Sequence, residues 1–102
     1  FIHKNNITAI VTSADSLATG IIHYCYDHGI NIPEELSVSG FGNSKYSSLV
    51  RPSISTVRLP YYDVGAVAVR VLIKYLREEE TLDESLKLNF EIMIRETIKK
   101  LN

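Results

Sequence analysis

Residues 29–41 read GINIPEELSVSGF. Gly29 ends an apolar-periodic stretch and stops a helix there, because the left-handed backbone of a helix end is cheapest for glycine. Pro33-Glu34 makes a short turn. Leu36 to Gly40 carries no charge, as a strand buried on both faces does. It ends on Gly40-Phe41, where the chain turns sharply over an open sheet edge. In open α/β layers the ligand crevice lies beyond the carboxyl ends of the strands, so this segment marks both a fold class and the edge to search for a site.

On the amino side, residues 7–13 (ITAIVTS) read as a buried strand. Asp15 or Ser16 is placed to cap the helix that follows by accepting bonds from its free N–H groups. Leu17, Ile21, Tyr24, Cys25 and His28 share one helical face, and Ala18 and Ile22 open a second stripe, so the helix is expected to touch its own sheet and something else. On the carboxyl side, residues 42–49 (GNSKYSSL) form a polar loop with room for one helical turn. Arg51-Pro52 forces extension, and Ile54 to Leu59 reads as a third strand. Pro60 stands where a helix starts. From Tyr61 to about Arg77, Val64, Val67, Ala68, Val71, Leu72, Tyr75 and Leu76 trace an apolar face. REEETLDES is an exposed connection. Leu88, Phe90, Ile92 and Ile94 then alternate with Asn89, Glu91, Met93 and Arg95, which predicts a strand with its wetter face on the second set. The order β-α-β-(loop)-β-α-β favours an α/β fold, a parallel sheet with flanking helices and right-handed crossovers.

The 102 residues suffice for one small domain or a piece of a larger one. Eleven Lys and Arg against twelve Asp and Glu leave a net charge of −1, with no basic footprint for nucleic acid on this chain alone. No apolar run reaches membrane-spanning length and no signal peptide is visible. The single Cys25 excludes an internal disulfide and fits a reducing cytoplasm. His23, Cys25, Asp27 and His28 crowd one helix, but only Cys25 and His28 share a face, and zinc needs three or four convergent ligands. There is no phosphate-binding glycine loop and no nucleophile elbow. Neither an enzyme, a metal nor a cofactor is expected.

TAIVTSAD with Leu17 to Gly20, then GINIPEELSVSGF, VRPSISTVRLP and FEIMIRET together resemble the carboxyl-terminal part of the effector-binding core of the LacI/GalR transcription regulators. The similarity is most specific to the catabolite-control branch. It implies a partial periplasmic-binding-protein-like (type I) fold and a chain that is a fragment, without the DNA-binding domain. Residues 1–59 and 87–102 would belong to the carboxyl-side subdomain, and 60–78 would be the crossover helix of the amino-side one. It also implies a cytoplasmic homodimer that reaches its DNA operator through the absent domain. A transporter's sugar receptor, which shares the fold, is the alternative.

The resemblance also assigns residues. Ser13, Ala14, Asp15, Gly42, Asn43 and Leu59 would line the effector crevice. Sugar-binding members commonly carry Asn, Asp and Gln where this chain has Ala14, Gly42 and Leu59, so three hydrogen-bonding groups are gone, and unpartnered buried hydroxyls cost about 1–3 kcal/mol each. Two readings stand side by side: no tight sugar binding of the usual kind, or takeover of the contacts by Ser13, Asn43 and Ser44 for a small sugar or sugar phosphate. The matching helix implies a docking face for the serine-phosphorylated phosphocarrier HPr, made of Tyr62, Asp63, Arg70 and Lys74. Asp63, Arg70 and Lys74 fall at i, i+7 and i+11 on one stripe, and a cationic pair suits a phosphoserine, although a solvated helix face carries the same pattern. Thr19 and Val50 would lie in the dimer interface.

Overall fold

A computed structural model describes residues 6–77 and 87–101. The chain forms two compact units, one of residues 1–58 and 91–102, the other of residues 59–90.

The first unit holds β1 (Ala9–Val11), α1 (Asp15–Asp27), β2 (Ser37–Ser39), a 3-10 turn (Lys45–Ser48), β3 (Thr56–Arg58) and β4 (Glu91–Met93). β1 and β2 pair in parallel, Ile10 opposite Val38. The ladder continues through a parallel bridge between Ser39 and Ser55 and through bonds from Gly40 N to Ser55 O (2.8 Å) and Gly42 N to Val57 O (2.9 Å). The parallel sheet with flanking helix is thus present, its strands shorter than their apolar runs. β4 departs from the parallel pattern: it pairs antiparallel with β3, Arg58 opposite Glu91. The chain leaves this unit after Arg58 and re-enters at Glu91, so the outgoing and returning strands run side by side in opposite directions. The last residue of β3 and the first of β4 form an Arg58–Glu91 ion pair, exposed and worth little on its own.

The core consists of Ala18, Ile22 and Cys25 of α1 packed on Leu36, Val38 and Ile54. Each fully buried Leu, Ile or Val contributes about 1.5–3 kcal/mol. Burial raises the pKa of the Cys25 thiol, and the charge of Glu35 adds to the effect. Both apolar stripes of α1 reach the core: Ala18 and Ile22 of one and Cys25 of the other are buried and Ile21 packs against them, whereas Leu17 and Tyr24 are about half exposed, with Tyr24 stacked on His28. On the last strand an expectation is corrected: the phase is reversed. Ile92 and Ile94 are exposed, while Met93 and Arg95 are half-buried and Thr97 fully buried. The inward phase is polar because it joins the hydrogen-bond system described below.

Gly29 takes φ +69° after α1, the left-handed stop that the sequence predicts. The second unit is built on α2 (Tyr61–Leu76), with Pro60 at its N-cap. Asp63 in the first turn and Lys74 in the last complement the helix dipole. None of its residues is buried. The connection read from REEETLDES lies, from residue 78 on, outside the described residues. No helix among the described residues is long and apolar enough to cross a membrane.

Candidate functional site

The parallel strands of the first unit deliver three segments to one edge: residues 12–15 after β1, 40–44 after β2, and β3 itself. Asp15 joins them. It is the first residue of α1 and only 2% exposed. One carboxylate oxygen, Oδ2, accepts from Ser44 N at 2.7 Å and Ser44 Oγ at 2.8 Å. The other, Oδ1, accepts from Thr56 Oγ1 at 2.7 Å. Thr56 Oγ1 in turn accepts from Asn43 N at 3.2 Å. A buried carboxylate is tolerated only when so partnered. The capping role expected of Asp15 is therefore corrected. Ala14 occupies the N-cap, with no side-chain cap bond, and the Asp15 side chain turns from the helix end to the loop and β3.

Gly40 makes this approach possible. A Cβ there would lie 2.1 Å from Asp15 Oδ1 and 3.0 Å from its Cα. Gly42 has φ +111° and Asn43 φ +52°. The former is a conformation that L side chains rarely adopt, while Asn tolerates the latter.

A second set of bonds holds the far side of the loop. Arg95 Nη2 donates to Asn43 Oδ1 at 2.9 Å. Its Nη1 donates to Ser47 Oγ at 2.8 Å and to Ile54 O at 3.1 Å. Ser47, completely buried, donates to Ser44 O at 2.7 Å. Arg95 N donates to Ser55 Oγ at 2.7 Å. Loop 42–48 is thus pinned by Asp15 at its start and by Arg95 along its length. Sequence reasoning missed Thr56, Ser47 and Arg95. The signal for Arg95 was a charged residue on the same strand phase as Met93 and Thr97.

Of the residues expected at the crevice, the structure brings Ala14, Asp15, Gly42 and Asn43 together at this edge, with Ser13 exposed beside them. Leu59 belongs to the second unit. Ser44 has its hydroxyl proton committed to Asp15. Of the expected docking residues, Tyr62, Asp63 and Arg70 are exposed and Lys74 is half-buried on α2. Thr19 is half-buried and its hydroxyl donates back to Asp15 O at 2.9 Å. Val50 is half-buried against the core. Among the described residues no group of three or more metal-ligating side chains converges.

The family model for the periplasmic binding protein-like domain matches residues 3–98. The chain belongs to that family. Among similar proteins of this periplasmic-binding-protein-like group is catabolite control protein A of Priestia megaterium, 43% identical over 93 residues, which are 90% of this chain and 28% of that protein. The crystal structure of the transcription regulator CcpA of Lactococcus lactis superposes with a TM-score of 0.85 at 32% identity, over 96% of this chain and 36% of that one. A periplasmic binding protein/LacI transcriptional regulator of Alkaliphilus metalliredigens, complexed with D-xylulofuranose, gives 0.80 at 27% identity, over 93% and 36%. The LacI-type resemblance and the periplasmic-binding-protein-like α/β fold therefore stand, and the named relatives are regulators. The chain spans less than a third of the length of the curated relative.

Proposed function

We propose that this chain is the effector-binding and dimerisation region of a cytoplasmic LacI-type transcriptional repressor of carbon metabolism. The observation that carries the proposal is the edge built on Asp15. It unites the start of α1, loop 42–44 and β3 at the carboxyl ends of parallel strands, where α/β proteins take ligands, in a chain 43% identical to a catabolite control protein. A small sugar or sugar phosphate at this edge, lined by Ser13, Ala14, Asp15, Gly42 and Asn43, would bind two arrangements of the subdomains unequally. The protein would thereby alter the operator affinity of a DNA-binding domain outside this chain. Residues 1–59 and 87–102 would form one subdomain and 60–78 the crossover helix of the other. Thr19 and Val50 would meet their counterparts in a homodimer.

α2 would receive serine-phosphorylated HPr, with Arg70 and Lys74 on the phosphoserine and Tyr62 and Asp63 beside them. The exposure of Tyr62, Asp63 and Arg70 supports this reading. The test is fluorescence anisotropy of a labelled operator with the full-length protein, with and without phospho-HPr. Phospho-HPr should tighten operator binding, and Arg70→Ala should weaken phospho-HPr binding by about 2 kcal/mol, as for a truncated charge pair at an interface. Unchanged affinity in Arg70→Ala would remove α2 as the docking face.

A further inference from the structure

Arg95 grips loop 42–48 from the last part of the chain. Its Nη2 donates to Asn43 Oδ1 at 2.9 Å. Its Nη1 donates to Ser47 Oγ at 2.8 Å, and that hydroxyl passes the grip on by donating to Ser44 O at 2.7 Å. These acceptors, with Ile54 O, are neutral oxygens, so the planar fork of the guanidinium is used here to span several acceptors at once. Arg95 is itself well seated, since its backbone N donates to Ser55 Oγ at 2.7 Å.

The loop needs such support. Gly42 (φ +111°) and Asn43 (φ +52°) stand in succession in the left-handed half of backbone space. Asn adopts that region more readily than most side chains but still at a cost, and it persists only where the surroundings over-determine it. Asn43 is held from both sides, its N–H by Thr56 Oγ1 at the edge and its carboxamide by Arg95 on the far side. Ser44 is held in the same way, its N–H by Asp15 Oδ2 and its carbonyl by Ser47. Asp15 and Thr56 thus fix the N–H groups of these two residues, and Arg95, directly and through Ser47, fixes the other ends.

We infer that Arg95 is a positioning residue of the effector edge: from the far side of the loop it holds Asn43 and Ser44 in the shape that an effector meets. The inference rests on the effector reading above and deepens it, by naming a residue outside the crevice on which effector affinity depends. The chain re-enters this unit at Glu91, four residues before Arg95, so the returning segment sets the shape of a loop made much earlier in the sequence.

Arg95→Lys keeps the charge and most of the stem but replaces the fork by a single nitrogen, which cannot serve Asn43 and Ser47 in the same geometry. Leu36→Val is the control: it opens a small cavity in the core just before β2 and lowers the melting temperature without touching these bonds. Hydrogen exchange of the full-length protein, read by mass spectrometry, should be faster in R95K for peptides covering residues 42–48 and unchanged for those covering β1 and β2. L36V should show no such selective loss at the loop. Calorimetric titration with D-fructose and with D-fructose 6-phosphate then separates a sugar from a phosphate as the group recognised. Whichever probe binds, R95K should weaken it by at least about tenfold, the equivalent of one misaligned hydrogen bond. L36V should stay within about twofold of wild type, as for a distant site. Loop exchange unchanged in R95K overturns the positioning of the loop, whatever the effector. Affinity unchanged in R95K, or lowered equally in R95K and L36V, overturns the role at the effector edge. Wild-type protein that binds neither probe overturns the small-sugar reading, and the effector role of Arg95 with it; the exchange result, which needs no ligand, tells that failure from a failure of the positioning.

Discussion

Thr56→Val exchanges the hydroxyl at the edge for a methyl group and changes little else, since the two side chains have nearly the same shape. Thr56 is 2% exposed, so no water replaces the hydroxyl without reorganisation. Two bonds go with it: the donation to Asp15 Oδ1 at 2.7 Å and the acceptance from Asn43 N at 3.2 Å. The first is a bond to a charged group, worth about 1.5–3 kcal/mol, and the second a neutral one, worth about 0.5–1.5 kcal/mol. Together the loss is about 2–4.5 kcal/mol. For a domain of this family's size each kcal/mol lowers Tm by about 2–4 °C, so the smallest expected shift is about 4 °C. Circular dichroism melts of the full-length protein would read it. Thr56→Ser is the control: it keeps the hydroxyl, loses one methyl and should recover most of the difference. If Val and Ser melt together, the hydroxyl is not what supports Asp15 and the reasoning about this edge fails.

Gly40→Ala should cost about 1–3 kcal/mol or more, the usual range for overpacking, because its Cβ meets the Asp15 backbone as well as the carboxylate; urea unfolding would show a lower midpoint, and an unchanged one would mean that α1 is not seated against β2 as described. Gly42→Asp, which restores the residue type of sugar-binding family members, should destabilise the protein by about 1–3 kcal/mol through backbone strain at φ +111°, checked by the same melt; no loss would contradict that conformation. Glu96 accepts from Ser53 N and Ser53 Oγ, both at 2.9 Å, and these bonds, backbone first, hold its carboxyl below its ordinary value, with Arg51 adding to the effect. A lowered folded value contributes stability above the unfolded carboxylate value that is lost as pH falls through the folded one. Glu96→Gln should therefore flatten the acid limb of the Tm–pH curve and leave the neutral region nearly unchanged.

The element order was legible because each apolar run has one period and a glycine or proline at its boundary: Gly29 after α1, Pro60 before α2, Gly40-Phe41 after β2. The edge was legible for the same reason, since Asp15 and residues 42–43 follow strands. The faces were less legible. Leu17, Ile21, Tyr24 and Cys25 offered α1 one apolar stripe and Ala18 and Ile22 a second, and periodicity cannot say which members of two apolar stripes meet a sheet. Leu88 to Ile94 alternated cleanly, yet the inward phase is the one that carries Arg95 and Thr97, because hydrogen bonds to Ser47, Ser55 and Ile54 decide it rather than apolar burial. Asp15 looked like a cap since the residue type suits both roles. Only the approach of Ser44 and Thr56 from 29 and 41 residues away distinguishes them.

Residues 95–99 act as a late stitch. Thr97 O receives Val38 N at 2.9 Å, Thr97 Oγ1 receives Ser55 N at 2.9 Å, Glu96 N reaches Ser53 O at 3.0 Å and Lys99 N reaches Ser37 Oγ at 3.1 Å. On the ribosome, β1, α1, β2 and β3 emerge well before these partners are made. A nascent chain halted anywhere in α2 carries an unpaired sheet edge and a loop held at its Asp15 end but not yet by Arg95. Such long-separated closures are slow, and the exposed edge meanwhile invites association with other chains. Protease resistance of this region during translation should therefore appear only once residues 91–99 have emerged, rather than on completion of the first four elements.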